Sequence, residues 1–114
     1  MSFKQSHTFE QRLSESTRIL QKYPTRIPII CEKNKKCTLL DLDKKKYLLE
    51  STITVGQFIF IIRKRIQMKE YEALFLSIDG FIPPTSAMIS NCYEKYKEKD
   101  GFMYIKYTSE NTFG

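Results

Sequence analysis

The chain has 114 residues, of which 41% are hydrophobic and 28% charged, and it carries a formal net charge of +6. That length supports one domain with its own core, and the longest apolar run, Phe58 to Ile62, is far shorter than the roughly 20 residues that span a bilayer. Three cysteines without CxxC spacing and a single histidine argue against a disulfide framework and a structural zinc site, so we expect no metal and no cofactor.

The N-terminal part of the chain combines a polar segment with one predicted helix. The segment up to His7 lacks the apolar region of a signal peptide, and we expect it to be mobile. Thr8 and Gln11 form a capping-box pattern that predicts a helix over residues 9–22. The apolar side of this helix is expected to contain Phe9, Leu13, Ser16 and Leu20.

Two strands are predicted next. Residues 26–33 are rich in β-branched residues, and Pro28 cannot donate a ladder hydrogen bond. The strand should therefore be peripheral at Pro28 or only begin there. A charged connection leads to a second strand at residues 46–51, and its length excludes a tight hairpin between the two.

The clearest predicted element is the helix that follows Thr54. Thr54 and Gln57 repeat the capping-box pattern, and Ile53 and Phe58 occupy the positions of a hydrophobic staple. Apolar residues continue at helical spacing to about Met68.

The C-terminal third is predicted to contain two strands around a turn, a helix and a last strand. Residues 73–83 form a strand, an Asp79-Gly80 turn and a short returning strand. Thr85 or Ser86 is expected to cap the helix, and residues 102–107 form the last strand. The inward side of the helix is expected to contain Met88, Ile89, Cys92, Tyr93 and Tyr96.

This order of elements predicts an α+β protein with a ubiquitin-like β-grasp fold. One mixed four-stranded sheet with packed helices accounts for it, with the last strand running parallel to the first. Residues 1–24 are assigned to an N-terminal helical extension, residues 25–107 to the β-grasp core and residues 108–114 to a flexible C-terminal tail.

No catalytic motif for phosphate binding, zinc hydrolysis or a serine nucleophile occurs, so we do not expect an enzyme. The positive charge favours an anionic partner. Basic clusters at residues 41–46 and 63–65 lack the interleaved aromatic residues of a nucleic-acid site. Cationic and apolar residues at 46–49 instead suit a sheet edge that accepts an added peptide strand.

Five blocks of the sequence closely resemble the autophagy ubiquitin-like modifier family, most nearly its GABARAP type. The resemblance extends from Phe9 to Gly114 without an evident gap. The blocks are YPTRIPIICEK, DLDKKKYLL, TVGQFIFIIRKRI, ALFLSIDGFIPPTSA and YEKYKEKDGFMYIKYTSENTFG.

The resemblance implies that Gly114 is the reactive end of the chain. In this family a ubiquitin-activating-type enzyme and a conjugating enzyme transfer the glycine carboxylate to the amine of phosphatidylethanolamine, which is the only covalent group implied. A cysteine protease exposes the glycine or removes the lipid. The free protein is then expected in the cytoplasm, and the lipidated protein on autophagosome membranes and cytoplasmic vesicles.

The resemblance also implies a groove for short motifs of the form aromatic-x-x-aliphatic, carried by cargo receptors and adaptors. By position, the pocket for the aromatic residue consists of Glu15, Ile19, Pro28, Ile30, Lys46, Leu48 and Phe102. The region around the aliphatic pocket consists of Tyr47, Leu49, Ile53, Phe58, Ile61 and Arg65. The residues that would attract an acidic flank are Arg26, Lys44 and Lys46.

Two positions depart from the family pattern. Glu50 stands where the family typically has proline and is expected to place a carboxylate at the rim of the second pocket. Ser77 replaces a bulky apolar residue, which we interpret as a packing change. The alternative functions are an unconjugated adaptor that binds peptides, cytoskeletal or membrane surfaces, and a small nucleic-acid-binding protein.

Overall fold

The computed structural model describes residues 1–109. It contains four helices, α1 to α4, and four strands, β1 to β4, within that range. In chain order they are α1 Phe3–Ser6, α2 Phe9–Lys22, β1 Arg26–Lys33, β2 Lys46–Glu50, α3 Val55–Arg65, β3 Phe75–Ser77, α4 Ile89–Tyr96 and β4 Met103–Thr108. Among these residues no helix is both long and apolar enough to cross a membrane.

The four strands form one mixed sheet in the order β2-β1-β4-β3. β1 is antiparallel to β2 and parallel to β4, and β3 is antiparallel to β4. Parallel pairing begins at Ile29 with Met103, so Pro28 precedes it and its missing N–H leaves no gap in that ladder. The predicted ubiquitin-like β-grasp fold is confirmed, with β2 at one edge of the sheet.

The main core lies between the sheet and α3. Ile29 of β1, Ile105 of β4 and Phe58 and Ile62 of α3 are almost fully buried in it. The predicted capping box of α3 is present, since the Thr54 side chain accepts from the Gln57 backbone N–H and the Gln57 side chain accepts from that of Thr54. Tyr47 and Leu49 of β2 belong to the same core, so α3 supports β2 from one face of the sheet.

The N-terminal segment is ordered, so the expectation of a mobile segment is wrong. Ser2 caps the short helix α1, and Phe3 is 6% exposed. The Phe3 ring packs edge-on against Phe102 at a centroid distance of 5.3 Å, and His7 packs on its other side at 4.5 Å. Burial of one aromatic ring holds a segment that its polar composition had suggested would be free.

The buried side of α2 also differs from the prediction. Ser16 and Ile19 are buried, whereas Phe9, Leu13 and Leu20 remain 37% to 41% exposed. A hydrogen bond accounts for the side of α2 that is buried, because the Ser16 hydroxyl donates to the Asp100 carbonyl at 2.5 Å. A Cβ at position 101 would overlap Ser16, so glycine is required for this close approach.

The start of α4 differs as well, because neither Thr85 nor Ser86 caps it. The helix begins after Met88, which makes no side-chain cap hydrogen bond. The preceding segment instead caps α3: the Gly56 N–H donates to the Thr85 carbonyl and the Val55 N–H to the Ala87 carbonyl, both at 2.9 Å. Two N–H groups at the start of α3 thereby gain partners.

Smaller differences occur at other boundaries. α3 ends at Arg65 rather than near Met68, and Gln67 has a positive φ of 55°. The predicted Asp79-Gly80 turn is present, but the returning strand is reduced to a single bridge between Ile78 and Phe81. On α4, the inward positions Ile89, Cys92 and Tyr93 are confirmed, while Met88 and Tyr96 are half-buried.

Candidate functional site

The free edge of β2 is open to another strand. The Cys31 N–H donates to the Lys45 carbonyl and the Ser51 N–H to the Thr25 carbonyl, so alternate residues of β2 bond to β1. In the same antiparallel register, Lys46, Leu48 and Glu50 direct their backbone groups away from the sheet. These outward groups are the ones that an added peptide strand would use.

The predicted aromatic pocket lies between β2 and α2, on the face of the sheet opposite to α3. Ile19, Ile30 and Phe102 belong to a second apolar cluster that is distinct from the main core, and Leu48 packs against it while remaining half-buried. Pro28 is buried beside them. The structure thus brings together the apolar residues assigned to this pocket, and Leu48 is the member that an incoming ring can contact.

Sequence reasoning missed two residues of this cluster, Phe3 and Tyr104. Phe3 is buried in it, and Tyr104 is a half-buried member. The alternation of β4, which places Tyr104 on the face opposite to Met103 and Ile105, is a signal that was present in the sequence. No comparable signal identified Phe3, because its position depends on the fold of the N-terminal segment.

Glu15 and Lys46, the two charged residues assigned to the aromatic pocket, form an ion pair with each other at its mouth. Their side chains are 21% and 39% exposed. The pair joins α2 to β2, so an acidic peptide residue near Lys46 has to compete with Glu15.

The predicted aliphatic pocket lies on the other face, between β2 and α3. Tyr47, Leu49 and Phe58 are at most 7% exposed and belong to the main core. Ile53 and Ile61 are half-buried and pack against that core. An aliphatic side chain would therefore contact Ile53 and Ile61 first, whereas Phe58 forms the floor.

Tyr47 places a buried hydroxyl group in this pocket, and this hydroxyl has no hydrogen-bond partner within residues 1–109. Burial raises the pKa of Tyr47 to about 12. Arg65 lies over the Tyr47 ring at 6.0 Å from its centroid. It binds the Asp43 carboxylate through Nη2, 3.1 Å from each oxygen, and through Nε at 3.3 Å. Arg65 therefore forms a charged rim above an apolar pocket.

The three cations assigned to an acidic flank are separate in the structure, and each has a partner inside the chain. Lys46 pairs with Glu15, and Lys44 lies 5.1 Å from the centroid of the Tyr47 ring. Arg26 Nε is 2.8 Å from Glu50 Oε1, and Arg26 Nη1 donates to the outward carbonyl of Leu48 at 3.1 Å.

The position of Glu50 corrects the expectation that its carboxylate stands at the rim of the second pocket. Side chains alternate along a strand, so Glu50 shares a face with Leu48 and not with Leu49. On that face its carboxylate pairs with Arg26, which is opposite to it in the β1–β2 register.

The predicted conjugation residue, Gly114, and the tail from residue 110 onward lie outside the described residues. β4 includes Thr108, which the sequence had placed in the tail. The last described residue, Ser109, has its hydroxyl oxygen 4.0 Å from the sulfur of Cys37, which is 8% exposed.

Comparisons with known proteins agree with this fold. The family model described as "Autophagy protein Atg8 ubiquitin like" matches residues 11–114. The chain is 52% identical over 112 residues to autophagy-related protein 8 of Neosartorya fischeri, with 98% of this chain and 95% of that protein covered. The same identity and the same share of this chain are found with autophagy-related protein 8 of Colletotrichum lindemuthianum, of which 93% is covered.

A solved structure, the crystal structure of Trypanosoma brucei ATG8, superposes with a TM-score of 0.92 at 44% identity and covers 100% of this chain and 98% of that one. The GABARAP type stays a prediction. The chain belongs to the Atg8 ubiquitin-like family of autophagy proteins and is a ubiquitin-like autophagy modifier, in a family for which conjugation to phosphatidylethanolamine is characteristic.

Proposed function

We propose that Gly114 is the residue through which this modifier is joined to phosphatidylethanolamine. The family match, which extends to residue 114, supports this assignment. Activating and conjugating enzymes of the autophagy pathway would perform the transfer, so the chain is their substrate and not itself an enzyme. Glycine suits a reacting terminus because it has no side chain to crowd the attacked carbonyl.

The same proposal includes the groove along β2 as the site for cargo receptors and adaptors. The observation that carries it is an open strand edge with one apolar pocket on each side of the strand, at Leu48 and at Ile53 with Ile61. An extended peptide places successive side chains on opposite faces, so an aromatic and an aliphatic residue separated by two others can enter the two pockets. Lys44 and Lys46 would attract acidic residues beside the motif.

Lipid conjugation would move the protein from the cytoplasm to autophagosome and vesicle membranes. The groove would then recruit receptors to that membrane. A processing protease would expose Gly114 where residues follow it and would release the lipid afterwards.

Conjugation is tested by incubating the protein with activating and conjugating enzymes of the pathway, ATP and liposomes that contain phosphatidylethanolamine. We expect an adduct whose mass is that of the protein plus the lipid minus water. Gly114→Ala should abolish or severely slow its formation. Binding of an acidic aromatic-x-x-aliphatic peptide serves as the internal control, because that groove does not involve Gly114 and should keep its affinity.

Undiminished lipidation of Gly114→Ala would show that the reaction does not require glycine at this position and would contradict the assigned role of Gly114. An adduct that never forms with wild-type protein, combined with normal peptide binding, would favour the unconjugated adaptor. Peptide binding and conjugation are therefore separable outcomes.

A further inference from the structure

The described part of the chain ends at one defined end of the sheet. β1 and β4 are parallel and finish together, with Lys33 paired to Tyr107. The Asn34 N–H donates to the Tyr107 carbonyl at 2.9 Å, and Ser109 lies beside Cys37. Residues 33–45 comprise the last residue of β1 and the connection to β2, and we call them the 33–45 loop. This loop therefore adjoins Ser109, the last described residue. We call this end of the sheet the exit end.

The connection from the exit end to Gly114 is short. Five residues separate Ser109 from the end of Gly114, and a fully extended chain of that length spans at most about 18 Å. The domain itself measures 40 × 30 × 24 Å. A lipid attached at Gly114 therefore keeps the exit end within about 18 Å of the bilayer, which is less than the smallest dimension of the domain, 24 Å. This short tether favours contact of the exit end with the membrane.

The chemistry of the loop suits a membrane surface. Residues 33–45 contain five lysines and two aspartates, a net charge of +3 within 13 residues of a chain whose total is +6. Asp43 is bound by Arg65, and Asp41 lies 3.7 Å from Lys33, so both loop carboxylates have cationic neighbours. Lys45 lies 3.3 Å from Glu32 of β1, which offsets one of the positive charges, and the remaining surplus favours an anionic partner.

An apolar side chain stands in the middle of this basic loop. Leu40 is 69% exposed, one of the highest values among the large apolar residues within 1–109. Its backbone is fixed to the sheet, because the Tyr107 hydroxyl donates to the Leu40 carbonyl at 2.7 Å. Leu40 lies between Lys35 and Lys36 on one side and Lys44 and Lys45 on the other, with Asp41 next to it in the sequence. An exposed leucine on a loop with a fixed backbone position can enter the headgroup region while the lysines bind lipid phosphates.

The geometry points to the 33–45 loop as a second membrane contact of the conjugated protein, one that binds an anionic bilayer through its lysines and inserts Leu40. The inference rests on the proposed conjugation at Gly114, which supplies the tether. It adds an orientation: the exit end faces the membrane. The end of the sheet where Arg26 begins β1 faces the cytosol.

The expected strength fits an assisting contact and not an independent anchor. At physiological salt, each lysine close to an anionic membrane surface raises the membrane affinity about fivefold. The effect falls off within a Debye length of the surface. A net charge of +3 is therefore too weak to hold a free protein firmly but sufficient to orient one that is already tethered.

The absence of tryptophan from the chain permits a direct test. Leu40→Trp places a single indole on the loop, and Tyr23→Trp places one at the opposite end, where Tyr23 is 40% exposed beside Lys22. Each protein is conjugated to vesicles that contain phosphatidylethanolamine with either phosphatidylcholine or an equal mixture of phosphatidylcholine and phosphatidylserine. We expect a shift of the emission to shorter wavelength for Leu40→Trp on the anionic vesicles only, and none for Tyr23→Trp.

Charge removal supplies the second measurement. Adding Lys35→Gln to Leu40→Trp should lower the ratio of membrane-bound to free loop about fivefold, and high salt should have the same effect. Lys22→Gln is the matched control and should change nothing. An unshifted emission of conjugated Leu40→Trp, or an equal shift in Tyr23→Trp, would overturn the proposed contact.

A separate tether distinguishes failure of this contact from failure of conjugation. Six histidines added after Gly114 attach the full chain to vesicles that carry a nickel-chelating lipid, without any enzyme. If the lipid adduct never forms but the Leu40→Trp shift appears on these vesicles, conjugation at Gly114 is wrong and the loop contact stands. If neither vesicle type produces the shift, the loop contact is wrong.

Discussion

Arg26 and Glu50 form a cross-strand ion pair that covers part of the free edge of β2. Their side chains are 43% and 49% exposed, with Arg26 Nε 2.8 Å from Glu50 Oε1. The same guanidinium donates to the carbonyl of Leu48, one of the groups that an added strand needs. A peptide that pairs with β2 must therefore displace Arg26 from this carbonyl, and Glu50 holds Arg26 in place.

We predict that Glu50→Gln tightens the binding of an aromatic-x-x-aliphatic peptide without any acidic residue by about two- to fivefold. The reason is that an exposed ion pair contributes up to about 1 kcal/mol, which binding has to overcome. Arg26→Gln should give a similar gain with this neutral peptide. Titration of both variants and of the double variant, by calorimetry or fluorescence anisotropy, measures the effect.

Comparing acidic with neutral peptides distinguishes displacement of Arg26 from direct repulsion between Glu50 and the peptide. Repulsion by Glu50 alone would tighten only acidic peptides in Glu50→Gln and leave the neutral peptide unchanged. Arg26→Gln should weaken acidic peptides, since an unpaired Glu50 remains. Glu94→Gln, an exposed carboxylate on α4, is the matched control and should have no effect on either peptide.

Truncation of the aromatic pocket should have a larger effect than any charge change. Leu48→Ala removes apolar surface where the peptide ring is expected to bury, and a contact of this kind commonly costs about 2 kcal/mol, or roughly thirtyfold in affinity. Leu40→Ala is the matched control, because it removes the same atoms from an exposed loop and should leave peptide affinity unchanged. Wild-type affinity in Leu48→Ala would place the peptide elsewhere.

Much of the fold was predictable because local signals agreed with the tertiary structure. The capping box at Thr54 and Gln57 and the turn at Asp79 determine structure within a few residues. The N-terminal segment and the start of α4 were predicted wrongly, because both depend on distant partners. Phe3 needs the surface formed by Phe102, and the segment before α4 bonds to the start of α3.

The sequence indicated which residues lie at the candidate site, but not which of its charged residues form ion pairs with each other. The resemblance assigned Leu48 and Leu49 to different pockets, and the structure places them on opposite faces of the sheet. The pairing of Lys46 with Glu15 and of Arg26 with Glu50 joins residues far apart in the chain. Such pairs follow from strand register and helix placement, which composition and spacing do not specify.

Lys46→Ala should weaken an acidic peptide less than Leu48→Ala does. Lys46 is partly exposed and already paired with Glu15, so an acidic peptide residue gains only the difference between two screened interactions. We expect a loss of about threefold at low salt that shrinks as salt is raised. Glu15→Gln should act in the opposite direction by freeing Lys46. A salt-independent loss in Lys46→Ala would indicate that its aliphatic stem, and not its charge, contacts the peptide.

The carboxylate of Asp100 is the most consequential buried charge for stability within residues 1–109. It is 2% exposed and accepts from Arg12 Nε at 2.9 Å, from the Tyr104 hydroxyl at 2.5 Å and from the Phe102 N–H at 3.0 Å. These bonds join α2 to β4 and to Phe102, a member of the apolar cluster behind the aromatic pocket.

Asp100→Ala should lower the free energy of unfolding by about 3 to 5 kcal/mol, because it leaves the Arg12 guanidinium, itself only 13% exposed, without its carboxylate. Glu98→Ala is the matched control: its ion pair with Lys4 is 44% to 46% exposed, and the loss should stay below about 1 kcal/mol. Urea unfolding followed by circular dichroism measures both. A double variant that also replaces Arg12 with methionine should recover part of the stability, since the unpaired buried charge is then gone. Equal losses in Asp100→Ala and Glu98→Ala would mean that the Arg12–Asp100 pair does not contribute to holding α2 on the sheet.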